Sequence, residues 1–214
     1  RQRQMCIRED VQHGLVFGSW FVFFITIEHF GERSLAITNI VRNISSFLFL
    51  FVQAFASVVS SLVGNLIGED KSNSILYVCK KVIFLCYITI LPIIILFVLF
   101  SSYILRIYSD NAALVFEAIP TLKVMLTSYL IAVPTFVFFS VVSGIGHAVA
   151  SLSIAFISLV IYIMYVEAIG HFSSSVPLLW TSEHVYFSCV FILSLYHIHH
   201  WRMNLYQSRQ KINH

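Results

Sequence analysis

The sequence predicts an all-α integral membrane protein of six transmembrane helices, on three observations. Of its 214 residues 58% are hydrophobic and only 11% charged, whereas a soluble domain carries about 25% charge. A soluble fold so poor in charge lacks the side chains to cover its surface. The charged residues are also separated by long gaps: 17 residues between Asp10 and Glu28, 26 between Arg42 and Glu69, 24 between Lys81 and Arg106, 43 between Lys123 and Glu167, and 18 between Glu183 and Arg202. Each reaches or nearly reaches the ~20 residues of one bilayer crossing. Finally, apolar runs such as residues 92–100 show none of the polar–apolar alternation of a membrane β-barrel. The 13 basic and 10 acidic residues give a net charge of +3 with no basic domain, which excludes nucleic acid as a partner. The partner that the composition demands is the lipid bilayer.

The expected spans are Val11–Phe30, Ser34–Ile67, Ile75–Leu105, Ala113–Val142, Ala148–Ile169 and Val176–Trp201. The first is the weakest, with Gln12, His13 and Gly14 near its start. The second ends at Gly64-Asn65-Leu66-Ile67-Gly68, where Gly64 permits close helix contact and Gly68 suits a C-cap. Glu69 and Asp70 then precede the third helix, whose N-terminal dipole favours acids. Pro92 and Pro134 interrupt long helices and mark expected bends. The gap of 43 residues is too long for one crossing and divides at the turn signal Ser143-Gly144-Ile145-Gly146-His147. Trp180 and Trp201, about 30 Å apart along a helix, would mark the two interfaces of the last one. Residues 1–10 and 206–214 flank a transmembrane unit over 11–205.

Nine of the 13 basic residues fall on the side shared by the two termini, which places both in the cytoplasm. Cys6, Cys79, Cys86 and Cys189 lie at cytoplasmic or intramembrane positions and are expected as free thiols. Nothing in the chain forms a nucleotide loop or a nucleophile elbow. His197-Ile198-His199-His200 is one short cluster at a helix end, and adjacent histidines point about 100° apart on a helix, so they are read as interfacial and not as metal ligands.

Polar residues gather toward the outer helix ends: Glu28, Glu32, Arg33, Asn39, Arg42, Glu167, His171, Glu183 and His184. For Glu28, Glu32, Arg33 and Glu167 the expectation is salt bridges that tie helix ends together. Arg42 and Glu183 sit deeper, where neither should face lipid. Two readings stay open for them, a structural pair and a protonatable cluster lining an outward-open cavity. Lys123 and Glu117 near one helix start are read as snorkelling.

The order of several motifs resembles the C-terminal six-helix lobe of the multidrug and toxic compound extrusion (MATE) family. Glu28-His29-Phe30-Gly31-Glu32-Arg33-Ser34-Leu35-Ala36 resembles the outer link between its helices 7 and 8, and Ser60-Ser61-Leu62-Val63-Gly64-Asn65-Leu66-Ile67-Gly68 the end of helix 8. Ile107-Tyr108-Ser109-Asp110 is similar to the stretch before helix 10, Val141-Val142-Ser143-Gly144-Ile145-Gly146 to its end, and Trp180-Thr181-Ser182-Glu183-His184-Val185-Tyr186 to the start of helix 12. The likeness covers about residues 11–205. It implies one lobe of a two-lobe secondary transporter, not an enzyme, with no cofactor. Such a transporter exchanges H⁺ or Na⁺ for small cationic or amphiphilic molecules across a bacterial inner membrane. The other lobe would be a missing N-terminal half or a second copy. Family members that couple ions through this lobe carry a Glu in helix 7 and an Asp in helix 10; here Val16–Ile27 and Val124–Val142 hold no carboxylate. The chain is therefore expected to be a fragment, a degenerate paralogue or a half-transporter. Within it Glu28, Asn39, Arg42 and Glu183 form the expected ion and substrate lining. Two other readings stand beside this one. One is a lipid-linked oligosaccharide flippase lobe, disfavoured by the few intramembrane bases. The other is a non-transporting six-helix protein that dimerises through Ser140, Ser143, Gly144 and Gly146.

Overall fold

A computed structural model describes residues 20–212, with side chains over 20–204. The flanks 1–10 and 206–214, the start of the first span and Cys6 lie largely or wholly outside the described residues. Within them the chain is a helical bundle: α1 (described over 20–28), α2 (Glu32–Gly68), a 3₁₀ turn (Ser72–Ser74), α3 (Ile75–Leu99), α4 (Ser101–Arg106), α5 (Ala112–Gly144), α6 (Ala148–Phe172), α7 (Val176–Leu179) and α8 (Ser182–Ile212). Five stretches are long and apolar enough to cross a membrane: α2, the 3₁₀ turn with α3, α5, α6, and α7 with the first part of α8. With α1 they agree with the six-helix expectation. Cys79, Cys86 and Cys189 are free thiols, as expected.

The central helix is α5, which packs against α2, α3, α4, α6, α7 and α8. One buried cluster joins Phe23 and Ile27 of α1 to Val41, Leu48 and Val52 of α2, Leu122, Met125 and Leu126 of α5, and Trp180. A second lies toward the other end of the bundle, around Val59, Val63, Cys79, Val141, Val142 and Ile198. At that end α2 and α5 meet at glycine. A Cβ on Gly144 would lie 2.8 Å from the Ser60 carbonyl oxygen and 3.0 Å from Val63 Cβ, whereas one on Gly64 would meet only the Gly144 oxygen, at 3.9 Å. Gly144 is thus used inside the chain, which removes it from the dimer face suggested by sequence.

Three element boundaries differ from expectation. The third span divides at Phe100 (φ −106°, ψ 26°) into α3 and the short α4. The last span divides at Trp180–Thr181 into α7 and α8, and Trp180 is completely buried, with its ring against Trp20 and Phe23, instead of marking an interface. Helix α2 runs through Gly68, and the left-handed position after it falls to Asp70 (φ 59°), a residue type that tolerates this conformation. Next to it Lys71 Nζ lies 2.9 Å from Glu69, which holds the ammonium proton above its usual pKa. Among the described residues the other left-handed links are Gly31 (φ 99°), between α1 and α2, and Gly146 (φ 87°), between α5 and α6.

Pro92 and Pro134 lie inside continuous helices and do not end them. A proline leaves the carbonyl four residues before it without its helical donor, and in lipid that group must find another. For Pro134 the carbonyl is that of Leu130, and the Tyr87 hydroxyl of α3 donates to it at 2.5 Å. The proline thereby becomes a cross-helix tie.

Replacing Gly144 with Ala is expected to destabilise the protein by about 1–3 kcal/mol, while Gly64→Ala stays near neutral; thermal unfolding in detergent separates the two. Tyr87→Phe, which strands the Leu130 carbonyl, should cost about 1–3 kcal/mol in the same assay.

Candidate functional site

Glu183 lies in the first turn of α8, immediately after the α7–α8 turn has carried the chain past the buried Trp180. Three tyrosines on three helices lie near enough to feel its charge: Tyr129 of α5, Tyr162 of α6 and Tyr186 of α8. The Tyr162 hydroxyl faces the carboxylate directly. Tyr129 and Tyr162 are almost completely buried, and Glu183 is partly buried beside them.

The cage is braced from outside. Tyr129 Oη bonds the Ser45 hydroxyl at 2.9 Å and donates to the Ser45 carbonyl at 2.5 Å, which joins α5 to α2. Tyr165 Oη meets Thr181 Oγ1 at 2.9 Å, His184 Nε2 meets Thr127 Oγ1 at 3.0 Å, and Thr135 Oγ1 donates to the Phe187 carbonyl at 3.1 Å. The rings of Tyr162 and Tyr186 stand edge to face, 5.9 Å between centroids. A charge or proton on Glu183 is therefore held by side chains whose own positions are set by neighbours on α2, α5, α6 and α8.

Arg42 is elsewhere. It is exposed on α2, and its guanidinium carbon lies 5.0 Å from the Phe24 ring centroid and 5.7 Å from that of Trp20, within range of a cation–π contact. It forms no salt bridge with Glu183. A chain of ring contacts instead leads from Arg42 through Trp20 to Trp180, three residues before Glu183. Of the four expected lining residues, then, Asn39 and Arg42 share one exposed face of α2, Glu28 is exposed at the end of α1, and Glu183 is partly buried at a separate position.

That face of α2 is polar along much of its length. Asn39, Arg42, Asn43 and Ser46 are exposed, and Gln53, Ser57, Ser61 and Asn65 continue the row at helical spacing. The opposite face buries Val41, Ile44, Leu48, Val52, Ala56, Val59 and Val63. The helix is thus amphipathic inside a membrane protein, with its apolar stripe turned inward against α5.

At the end of the bundle where α2 and α5 begin, the salt-bridge reading holds for Arg33, whose Nε lies 2.7 Å from Glu117 Oε2 and clamps the two helix starts. Glu117 was read as the snorkelling neighbour of Lys123; the tertiary contact with Arg33 replaces that account. Two groupings escaped sequence reading. The tyrosine cage escaped because its members lie on three helices. His147 Nδ1 and His197 Nε2 meet at 2.9 Å, 50 positions apart, and only the tertiary fold joins them.

The family model described as MatE matches residues 13–166. No curated protein matches. Among solved structures, a MOP superfamily transporter from Pyrococcus furiosus superposes with a TM-score of 0.73 at 16% identity, over 89% of this chain and 42% of that one. The chain thus spans less than half the length of that structure and shares its fold.

Loss of the Tyr129 hydroxyl in Tyr129→Phe should lower stability by about 1–2 kcal/mol. Arg33→Gln, which breaks a half-exposed pair, should lower it by less than about 1 kcal/mol and with a salt-sensitive effect. Thermal unfolding at low and high ionic strength checks both.

Proposed function

We infer the function from one premise: the chain belongs to the MatE family. On that premise we propose that it is one lobe of a secondary transporter that works by alternating access, coupled to H⁺ or Na⁺. A second lobe, either an N-terminal half or a second copy of this chain, closes the cleft. The observation that supports ion coupling is Glu183, a partly buried carboxylate paired with the Tyr162 hydroxyl and close enough to Tyr129 and Tyr186 for them to feel its charge. An ionised carboxylate away from water is costly unless a cation or a proton neutralises it. A site that gains and loses that neutralising partner as the cleft opens and closes has two states of different free energy, and coupling needs such a difference. Phenol oxygens suit either partner. They accept a hydrogen bond from a protonated carboxyl, and they are hard oxygen neighbours for Na⁺.

Glu28, Asn39 and Arg42 form the outer and cleft-facing lining of the same lobe. The bundle sits in the cell's inner membrane with both termini in the cytoplasm. The cargo that the resemblance implies is a small cationic or amphiphilic molecule driven outward in exchange for the ion. The amphiphilic half of that description is supported by this lobe's own surface, where exposed Phe47 and Leu50 follow the polar residues of α2.

Substitution Glu183→Gln, which keeps the shape of the side chain and removes its charge, tests the coupling. In proteoliposomes carrying the complete transporter, efflux driven by an imposed ion gradient should fall at least about tenfold, with cargo binding retained. Gradient-driven efflux equal to that of the unsubstituted protein, across the pH range of the assay, removes Glu183 from the coupling step.

A further inference from the structure

We propose that the α2 face around Arg42 is a binding site for the oxyanion head of an amphiphile, such as a carboxylate, sulfonate or monophosphate on an apolar tail. The proposal rests on the transport reading to the extent that this face opens to the cleft.

Three observations carry it. First, Arg42 has no carboxylate partner among the described residues; the two ion pairs there join Arg33 to Glu117 and Lys71 to Glu69. An unpaired guanidinium inside a membrane helix is costly, and such residues face water or a ligand and not lipid. Second, the charge on this face is of one sign. From Arg33 to Gly68 helix α2 holds no Asp or Glu. Glu32 lies ten residues before Arg42, about 15 Å along the helix, and Glu28, at the end of α1, forms no ion pair with Arg42. Third, the neighbours suit an oxyanion with a tail. Asn39, Asn43 and Ser46 share the exposed face and supply amide and hydroxyl donors. The rings of Trp20 and Phe24 lie 5.7 and 5.0 Å from the guanidinium carbon and flank it, and a planar guanidinium takes a carboxylate or phosphate through two parallel hydrogen bonds. One turn and two turns further along, Phe47 and Leu50 are 48% and 67% exposed and offer the apolar surface for a tail. The chemistry of this face is opposite in sign to the cationic cargo that the family resemblance implies.

The test measures equilibrium binding to the full chain in neutral detergent, with tryptophan emission as the readout, because Trp20 touches the guanidinium. Three probes are compared: dodecyl phosphate, dodecyltrimethylammonium with the same tail and the opposite charge, and inorganic phosphate with no tail. Dodecyl phosphate should give a saturable change and the other two should not. Arg42→Gln should weaken dodecyl phosphate binding by at least about tenfold, the scale of one charge-assisted pair, and Arg42→Lys by less. If Arg42→Gln does not fold, Asn43→Leu replaces it, with a severalfold loss expected. Equal binding of the cationic probe overturns the proposal, as does equal binding of inorganic phosphate. Unchanged binding in the folded Arg42→Gln protein, or in its Asn43→Leu substitute, overturns it equally. These readings need no transport, so a failure of gradient-driven efflux leaves them standing. Unchanged dodecyl phosphate binding in Arg42→Gln alongside intact gradient-driven efflux overturns this proposal and leaves the transporter reading intact.

Discussion

Hydrocarbon offers no hydrogen bonds, so every polar group that this chain carries into the membrane has to be answered from within the protein or by an aqueous cavity. Much of the architecture follows from that requirement. The backbone answers it by being helical almost throughout. Pro134 breaks the rule locally, and Tyr87 of a neighbouring helix restores it at Leu130. The Tyr129 hydroxyl is answered by Ser45 across α2 and α5, and that of Tyr165 by Thr181. Some polar side chains lack such an answer: a row of them is exposed on one face of α2, and the hydroxyls of Thr121, Ser158 and Ser194 are buried without a partner on α5, α6 and α8. Function is sought where the requirement is not met by packing alone.

Much of the fold was legible in the sequence because one physical signal, the distance between charges, scales directly with membrane thickness. The turn between α5 and α6 was visible as glycine chemistry at Gly144 and Gly146. The division at Phe100 was not, because Phe100-Ser101-Ser102 carries neither glycine nor proline and its apolar neighbours continue without a pause. Trp180 misled for a related reason. Tryptophan at a span end is usually an interfacial anchor, but here the chain turns immediately after it and the indole is folded inward against Trp20 and Phe23. The family resemblance stood on motifs at helix ends, where turns impose local constraints, and those motifs lie where the chain does turn.

The site was legible residue by residue but not as an arrangement. Depth along a helix can be counted from sequence, and it singled out Arg42 and Glu183. Azimuth is harder to read when nearly every position is apolar. The two do not share a direction: Arg42 lies against the rings of α1 on the open face of α2, and Glu183 faces the Tyr162 hydroxyl of α6. Tyrosine is common in membrane proteins and carries no spacing signal of its own, so the cage appears only after three helices have been brought together.

Helices α2 and α5 are fastened at three heights: by Arg33 and Glu117 at one end, by Ser45 and Tyr129 further in, and by the bare backbone of Gly144 against Ser60 at the other. Two rods joined at three separated points behave as a truss. Sliding or scissoring one against the other strains every joint at once. Such a pair is stiff in bending and transmits force along its length, so a push delivered at one membrane surface arrives at the other without being absorbed between them.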